Sequence, residues 1–209
     1  ADWIDQLLAN LNDEQWQRML ACEHGGINET FADLYAITGD KRYLALAEKF
    51  YHKAVLDPLS EQRNILPGLH ANTQIPKIIG SARLYELTAK ERYETIAEFF
   101  WTTVVNHYTY ANGGNSAEEY FGQPDRLAER MHDTTETCNT YNMLKLTRHL
   151  FAWKPNASYM DYYERALLNH ILAHQHPEEG GRLVYKGFLD MPARKGFSHP
   201  TRSFWCCVG

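Results

Sequence analysis

No apolar run in this sequence approaches the roughly 20 residues that cross a bilayer as a helix. Its first residues, Ala1-Asp2-Trp3-Ile4, carry neither the basic nor the apolar region of a signal peptide. A soluble chain with no membrane partner is expected. There is no basic stripe either: 21 Lys and Arg stand against 26 Asp and Glu, scattered along a chain of net charge −5. Nucleic acid, which demands a clustered basic face to neutralise its phosphates, is excluded as a partner. An initiating Met is lacking and the chain stops after Cys206-Cys207-Val208-Gly209, so a segment or a processed product of a longer polypeptide is expected. Cysteine is sparse, with four in 209 residues, and three disulfide connectivities are conceivable. A chain this long, 44% hydrophobic, buries a core without staples, and the adjacent Cys206 and Cys207 could bond each other only with strain. Thiols or metal ligands are expected instead.

What is present is an internal repeat. Asp33-Leu34-Tyr35-Ala36-Ile37-Thr38-Gly39-Asp40-Lys41-Arg42-Tyr43 recurs 50 positions later as Arg83-Leu84-Tyr85-Glu86-Leu87-Thr88-Ala89-Lys90-Glu91-Arg92-Tyr93. A weaker third copy puts Leu150, Phe151, Tyr159 and Glu164 in the places of Leu34, Tyr35, Tyr43 and Glu48. Each copy reads as helix, short turn, helix. Thr38-Gly39-Asp40 supplies a glycine stop and a capping carboxylate, and Lys154-Pro155-Asn156 uses proline and asparagine to the same end. The spacing predicts first helices near 25–38, 70–87 and 135–152 and second helices near 41–56, 91–107 and 157–174, with very little strand. The fold class is therefore all-α, one domain over 1–209, built of antiparallel hairpins near 25–56, 70–107 and 135–174.

Stacked hairpins make an open solenoid or close into a toroid. Polar residues precede or open each first helix, in Glu23-His24-Gly25-Gly26-Ile27-Asn28-Glu29, Leu69-His70-Ala71-Asn72-Thr73-Gln74 and Thr135-Glu136-Thr137-Cys138-Asn139. They converge on one cavity if the ring closes, and Cys22, Asn72 and Cys138 share one phase of the repeat. Glu136, Cys138, Cys206 and Cys207 together offer one carboxylate and three thiolates, a set suited to tetrahedral zinc. On residue type alone, a packed Cys138 with an incidental Cys206–Cys207 pair stands beside that reading. The tyrosines of the repeat, Tyr35, Tyr43, Tyr85 and Tyr93, read as packing. Trp205 reads as a pocket wall, and His107, His149, His170, His174 and His176 as structural or solvated.

Glu136-Thr137-Cys138-Asn139-Thr140-Tyr141-Asn142-Met143 and Phe204-Trp205-Cys206-Cys207-Val208-Gly209 resemble paired hallmarks of the zinc-dependent β-L-arabinofuranosidases of glycoside hydrolase families 127 and 146. Gly25-Gly26-Ile27-Asn28-Glu29 and Leu66 to Gln74 are further matches. The resemblance implies an (α/α)6 toroid of which this chain supplies about half, the remaining wall coming from further chain or another subunit. It implies zinc held by Glu136, Cys138, Cys206 and Cys207, with Cys206 as nucleophile. It implies Glu119 as the acid/base, with the adjacent Glu118 as competitor, and His70 and Tyr185 as contacts to the sugar. The substrate implied is an L-arabinofuranosyl oligosaccharide or glycoconjugate. Reduced thiols suit the cytoplasm, and zinc-protected thiols suit the periplasm as well. Two other classes stand beside this one: a non-catalytic, zinc-stabilised helical scaffold that binds a glycan or protein, and another sugar-active α-toroid such as an epimerase or a lyase.

Overall fold

A computed structural model describes residues 1–191 and 194–208. Gly209, the last residue of the terminal cysteine motif, lies outside the described residues. The described residues form nine α-helices and a two-stranded antiparallel sheet, and no helix among them is long and apolar enough to cross a membrane. The helices are α1 (Asp2–Leu8), α2 (Asp13–Leu20), α3 (Ile27–Thr38), α4 (Lys41–Lys49), α5 (Lys53–Ser60), α6 (Ala71–Thr88), α7 (Glu91–His107), α8 (Thr137–Trp153) and α9 (Ala157–Ala166). Strand β1 (Thr134–Glu136) precedes α8, and β2 (Lys186–Gly187) follows α9. The chain forms two compact units, Ala1–Ile65 with Thr73–Phe100 and Leu66–Asn72 with Trp101–Gly209.

In the first unit the repeat is visible down to single hydrogen bonds. Gly39 ends α3 at φ 73°, and the Asp40 carboxylate then accepts from Arg42 N at 2.9 Å to open α4. Fifty residues on, Ala89 adopts the same left-handed turn at φ 53°, a conformation that costs an alanine about 1 kcal/mol more than a glycine. Asp33 and Arg83 hold equivalent places in the two copies and pair with each other at 2.7 Å, which sets α3 beside α6. The contact between these helices is close because Gly80 has no side chain. A Cβ at that position would lie 2.1 Å from the Asn28 side chain. Asn28 is buried and donates to Lys77 O at 3.0 Å. Gly80→Ala is therefore expected to destabilise the fold by about 1–3 kcal/mol through overpacking, read as a lower urea midpoint at unchanged slope.

The second helix of this hairpin, expected to run over 41–56, is broken. Phe50 leaves helical geometry at ψ 45°, and the chain restarts as α5. Gln17, on α2, bridges the break: its amide donates to Tyr51 O at 3.0 Å and its carbonyl accepts from Lys53 N at 2.9 Å. One side chain thus satisfies the backbone groups the interruption frees. Phe50 meanwhile turns inward, edge-on to Trp16 at 5.1 Å and stacked near Phe31 at 5.6 Å. The N-terminal α1 and α2, for which no helix was predicted, include a reciprocal cap. Asn12 and Gln15 bond each other's backbone N–H, a signal present in the sequence as Asn-x-x-Gln.

In the second unit Trp101 anchors the core, donating to Thr147 Oγ1 at 2.8 Å and packing edge-on against Tyr159 and Tyr162. The Tyr162 hydroxyl reaches Gly113 O at 3.1 Å. Asn156 caps α9 by accepting from Ser158 N at 3.0 Å, as the sequence predicts. After Ala166 the helical winding loosens into a π turn over Leu167–Ile171 and then tightens over Leu172–His174. The predicted span of 157–174 is thus helical throughout, in three windings.

Candidate metal centre and active site

The third repeat copy departs from the first two where the chemistry lies. Helix α8 starts at Thr137, not near 135, because Thr134 and Glu136 pair with Gly187 and Lys186 across the small sheet. Two residues of β1 match one step of β2, so Thr135 is an extra residue, a bulge with φ 52°. Bulges re-aim the neighbouring side chain. Here the neighbour is Glu136, nearly fully buried at 2% exposure. One turn of α8 then carries Cys138, and a short 3-10 turn over Cys206–Val208 presents the other two thiols.

These four side chains meet. Cys138 Sγ lies 2.9 Å from Cys207 Sγ and 3.4 Å from Cys206 Sγ. Glu136 Oε1 lies 3.4 Å from Cys206 Sγ and 3.9 Å from Cys207 Sγ. One ligand atom from each residue falls within 4.8 Å of all the others. Cys206 and Cys207 stand 3.8 Å apart, the separation of two sulfurs on a tetrahedral ion with Zn–S bonds of about 2.3 Å, and Cys138 lies closer to both than such an ion would hold it. Glu136 Oε2 is buried with no hydrogen-bond partner, an orphan that a cation would satisfy. The electrostatics agree. Burial pushes the Glu136 carboxyl up, hydrogen bonding to Cys207 and burial push the Cys138 thiol up, and burial pushes Cys206 up to about 11. The hydrogen bond with Cys138 lowers Cys207 instead, and the three upward shifts keep protons on their groups, which a bound dication would displace. One oxygen and three sulfurs is a donor set that fits zinc. Cys22 is exposed and stands outside this cluster, so sharing a repeat phase with Cys138 does not bring it to the site.

Beside the thiols stands a second group of side chains, gathered on Glu119. The segment Asn115 to Phe121 is tied down by backbone bonds on two sides. Ala71 N donates to Glu119 O at 2.8 Å, Phe121 N to Leu69 O at 3.0 Å, and Thr135 N to Ser116 O at 3.2 Å. Ser116, Glu118 and Glu119 all have positive φ, at 68°, 51° and 71°, a run of strained residues of the kind that surrounding structure must hold in place. The strain sends the two glutamates different ways. Glu118 is exposed, whereas Glu119 is partly buried and receives hydrogen bonds from His70 Nε2 at 3.3 Å and from the Tyr185 hydroxyl. Lys186 Nζ lies 3.2 Å from the same carboxylate. The Tyr185 hydroxyl first, then Lys186 and His70, hold the Glu119 carboxyl below its usual range against the opposing effect of burial. Burial, then the bond to Glu119 and the charges of Glu136, Glu119 and Cys206, push the Tyr185 phenol up. Its ring stacks on Trp205 at 5.6 Å.

Behind the site, the Asn112–Ser116 loop lies largely inside. Gly113, Gly114, Asn115 and Ser116 are buried, and Asn139 of α8 donates to Ser116 Oγ at 2.7 Å. A Cβ at Gly114 would lie 2.6 Å from Thr135 Cβ, so glycine is what allows the loop to sit on the bulge. The first turn of α8 is held by two buried histidines: Thr140 Oγ1 lies 2.5 Å from His170 Nδ1, and Thr137 Oγ1 3.1 Å from His174 Nδ1. The two rings lie 4.2 Å apart, edge to face. Burial lowers His170 to about 3 and His174 to about 4. Both are neutral in the folded chain while the unfolded chain takes up protons below about pH 6.5. Stability is thus intact above that pH and falls as the pH drops toward 4, by up to about 1.4 kcal/mol per pH unit for each histidine. Urea unfolding at pH 7 and pH 5 is expected to show the loss, and His174→Gln is expected to flatten it.

Fold and site together define an all-α hairpin protein that carries a one-carboxylate, three-thiol centre next to a separate, donor-held glutamate. The chain belongs to the β-L-arabinofuranosidase GH127 catalytic domain family, whose model it matches over residues 1–209. Among solved structures it is similar to a GH127 β-arabinofuranosidase, at 21% identity and TM-score 0.64, covering 87% of this chain and 30% of that one. A protein described as a glycoside hydrolase matches at 18% identity and TM-score 0.68, covering 86% and 35%. A GH127 β-L-arabinofuranosidase from Geobacillus stearothermophilus T6 matches at 17% identity and TM-score 0.58, covering 78% and 30%. The fold is therefore shared, as the expectation of a toroid segment requires, and this chain spans about a third of the length of the structures it matches. Among curated proteins, none matches it.

Lys186 and its partner Asp133 were not anticipated from the sequence. Neither belongs to a motif. The one available signal was that Lys186 follows Tyr185, a residue already singled out.

Proposed function

We propose that the protein containing this chain is a retaining glycoside hydrolase acting on β-L-arabinofuranosides, with Cys206 as nucleophile and Glu119 as acid/base. The observation that carries the reading is the meeting of Cys206 with Glu136, Cys138 and Cys207, together with a separate Glu119 held by the Tyr185 hydroxyl, His70 and Lys186. A nucleophile and a separate proton carrier are the two parts that retention requires. Glu136, Cys138, Cys206 and Cys207 would hold zinc, which when bound keeps the Cys206 sulfur as a thiolate at neutral pH. The Cys206 sulfur attacks the anomeric carbon and the glycosidic C–O bond breaks. The departing oxygen takes the proton of Glu119, leaving a glycosyl thioether on Cys206. Water then attacks the same carbon, gives its proton to Glu119, and the C–S bond breaks to return the thiolate. Two inversions give net retention.

The environment of Glu119 suits this double duty. Its three donors favour the carboxylate, the form that deprotonates water. A sugar that fills the site and excludes solvent favours the protonated form, which the first step consumes. His70 and Tyr185, both hydrogen-bonded to Glu119, would bond sugar hydroxyls. The remaining pocket wall comes from chain outside this segment or from a second subunit, and the substrate is an L-arabinofuranosyl oligosaccharide or glycoconjugate.

One observation favours a second reading. Four protein ligands saturate a tetrahedral ion, the usual condition of a structural site. Metal analysis of the full-length protein, with hydrolysis of p-nitrophenyl β-L-arabinofuranoside as the activity assay, separates the two. Zinc with cysteine-dependent turnover supports the hydrolase, and zinc without turnover supports a scaffold.

A further inference from the structure

Lys186 lies between two carboxylates. Its Nζ is 3.0 Å from Asp133 Oδ2 and 3.2 Å from Glu119 Oε1, and all three side chains are more than half buried. Its backbone is fixed by pairing with Glu136 across the sheet, on the far side of the Thr135 bulge, so the lysine has a defined origin. The Nζ also lies 5.1 Å from the centroid of the Tyr185 ring, whose hydroxyl donates to the same Glu119 oxygen. Asp133, at φ 49°, pays backbone strain to stand where it does, and its carbonyl accepts from Glu118 N at 2.8 Å. One short segment thus anchors both the Glu119 loop and the lysine that reaches it.

We propose that Lys186 is a positioning residue that sets the orientation of the Glu119 carboxyl, and that Asp133 serves to keep Lys186 paired while Glu119 carries a proton. The inference rests on the acid/base reading of Glu119. Charge balance explains why two carboxylates are needed. With Glu119 ionised, the trio of Lys186, Asp133 and Glu119 sums to one negative charge; with Glu119 protonated it sums to zero. In neither state is a partly buried ammonium left without a counter-ion, which would be costly. Without Asp133, protonating Glu119 would strand Lys186, and the lysine would oppose the protonation that must precede acid catalysis.

The test uses the full-length protein as wild type, Lys186→Met, Lys186→Arg and Asp133→Asn. Each is assayed on methyl β-L-arabinofuranoside, whose leaving group needs a proton, and on the 2,4-dinitrophenyl glycoside, whose leaving group does not. A displaced acid is expected to cost about 100-fold in kcat/KM on the methyl glycoside and only a few-fold on the dinitrophenyl one. Lys186→Arg is expected to restore most of the difference, and Asp133→Asn to reproduce the leaving-group dependence in milder form. Equal losses on both substrates, or none, overturn the proposal. Failure of the underlying reaction is distinguishable, because it appears as unchanged hydrolysis in Glu119→Gln or Cys206→Ser. In that event the crystal structure of Lys186→Met still decides the positioning claim. A Glu119 carboxyl that leaves His70 and Tyr185 supports it, and one that stays in place overturns it.

Discussion

Cys206→Ser in the full-length protein is expected to lower kcat/KM for β-L-arabinofuranosides by at least about 10⁴-fold, the scale on which enzymes lose turnover with their nucleophile. Serine preserves the shape of the side chain but removes the two properties the proposed reaction requires. Its hydroxyl is a harder and poorer metal ligand than a thiolate, and it does not ionise near neutral pH. Zinc content is expected to fall less than activity, since Glu136, Cys138 and Cys207 remain. That split matters, because a scaffold with a purely structural ion would lose metal and stability together and have no turnover to lose. Leaving-group dependence refines the outcome. Activated and poor leaving groups should suffer alike in Cys206→Ser, because both need the nucleophile. A variant that keeps wild-type kcat/KM removes Cys206 from the reaction.

The second large effect is on the metal itself. Glu136→Ala, or exhaustive chelation, is expected to abolish stoichiometric zinc binding and lower the melting temperature on the order of 10 °C. The reasoning is linkage: a ligand present at about 1,000 times its Kd stabilises the folded state by about 4 kcal/mol, and a chain of this size shifts by a few degrees per kcal/mol. Glu136 is the sharpest test of the four candidate ligands. It is the most buried, and its Oε2 has no hydrogen-bond partner to fall back on. Readdition of zinc should restore both properties in the chelated wild type and neither in Glu136→Ala. Cys22→Ser, which alters an exposed thiol outside the cluster, is expected to leave zinc content unchanged. Zinc-free wild type with an unaltered melting curve would show that the cluster holds no stabilising metal.

Much of the fold was legible because hairpins are local. The stop at Gly39, the cap at Asp40 and the cap at Asn156 are decided within a few residues of backbone, and the structure has all three. The break after Lys49 was not legible, because the group that tolerates it is the Gln17 side chain more than thirty positions away. The start of α8 was missed by two residues for the same reason: Thr134 and Glu136 find strand partners only at Gly187 and Lys186. The candidate ligands could be recognised by residue type and motif, since few side chains besides cysteine and glutamate offer that donor set. The distinction between Glu118 and Glu119 could not be read so, because two adjacent glutamates differ only in which way a strained loop points them.

The sequence by itself determined the helical hairpins, their turns and the family, because capping chemistry, apolar periodicity and the cysteine motifs each act over short stretches of chain. Only the tertiary structure decided that Cys138 meets two thiols 68 and 69 positions away, that Glu119 rather than its neighbour turns to His70 and Tyr185, and that Lys186 spans two carboxylates. Those are through-space contacts between side chains on separate elements, set by a bulge, a loop held at positive φ and a buried loop of glycines. No local preference of the chain specifies such contacts; packing does.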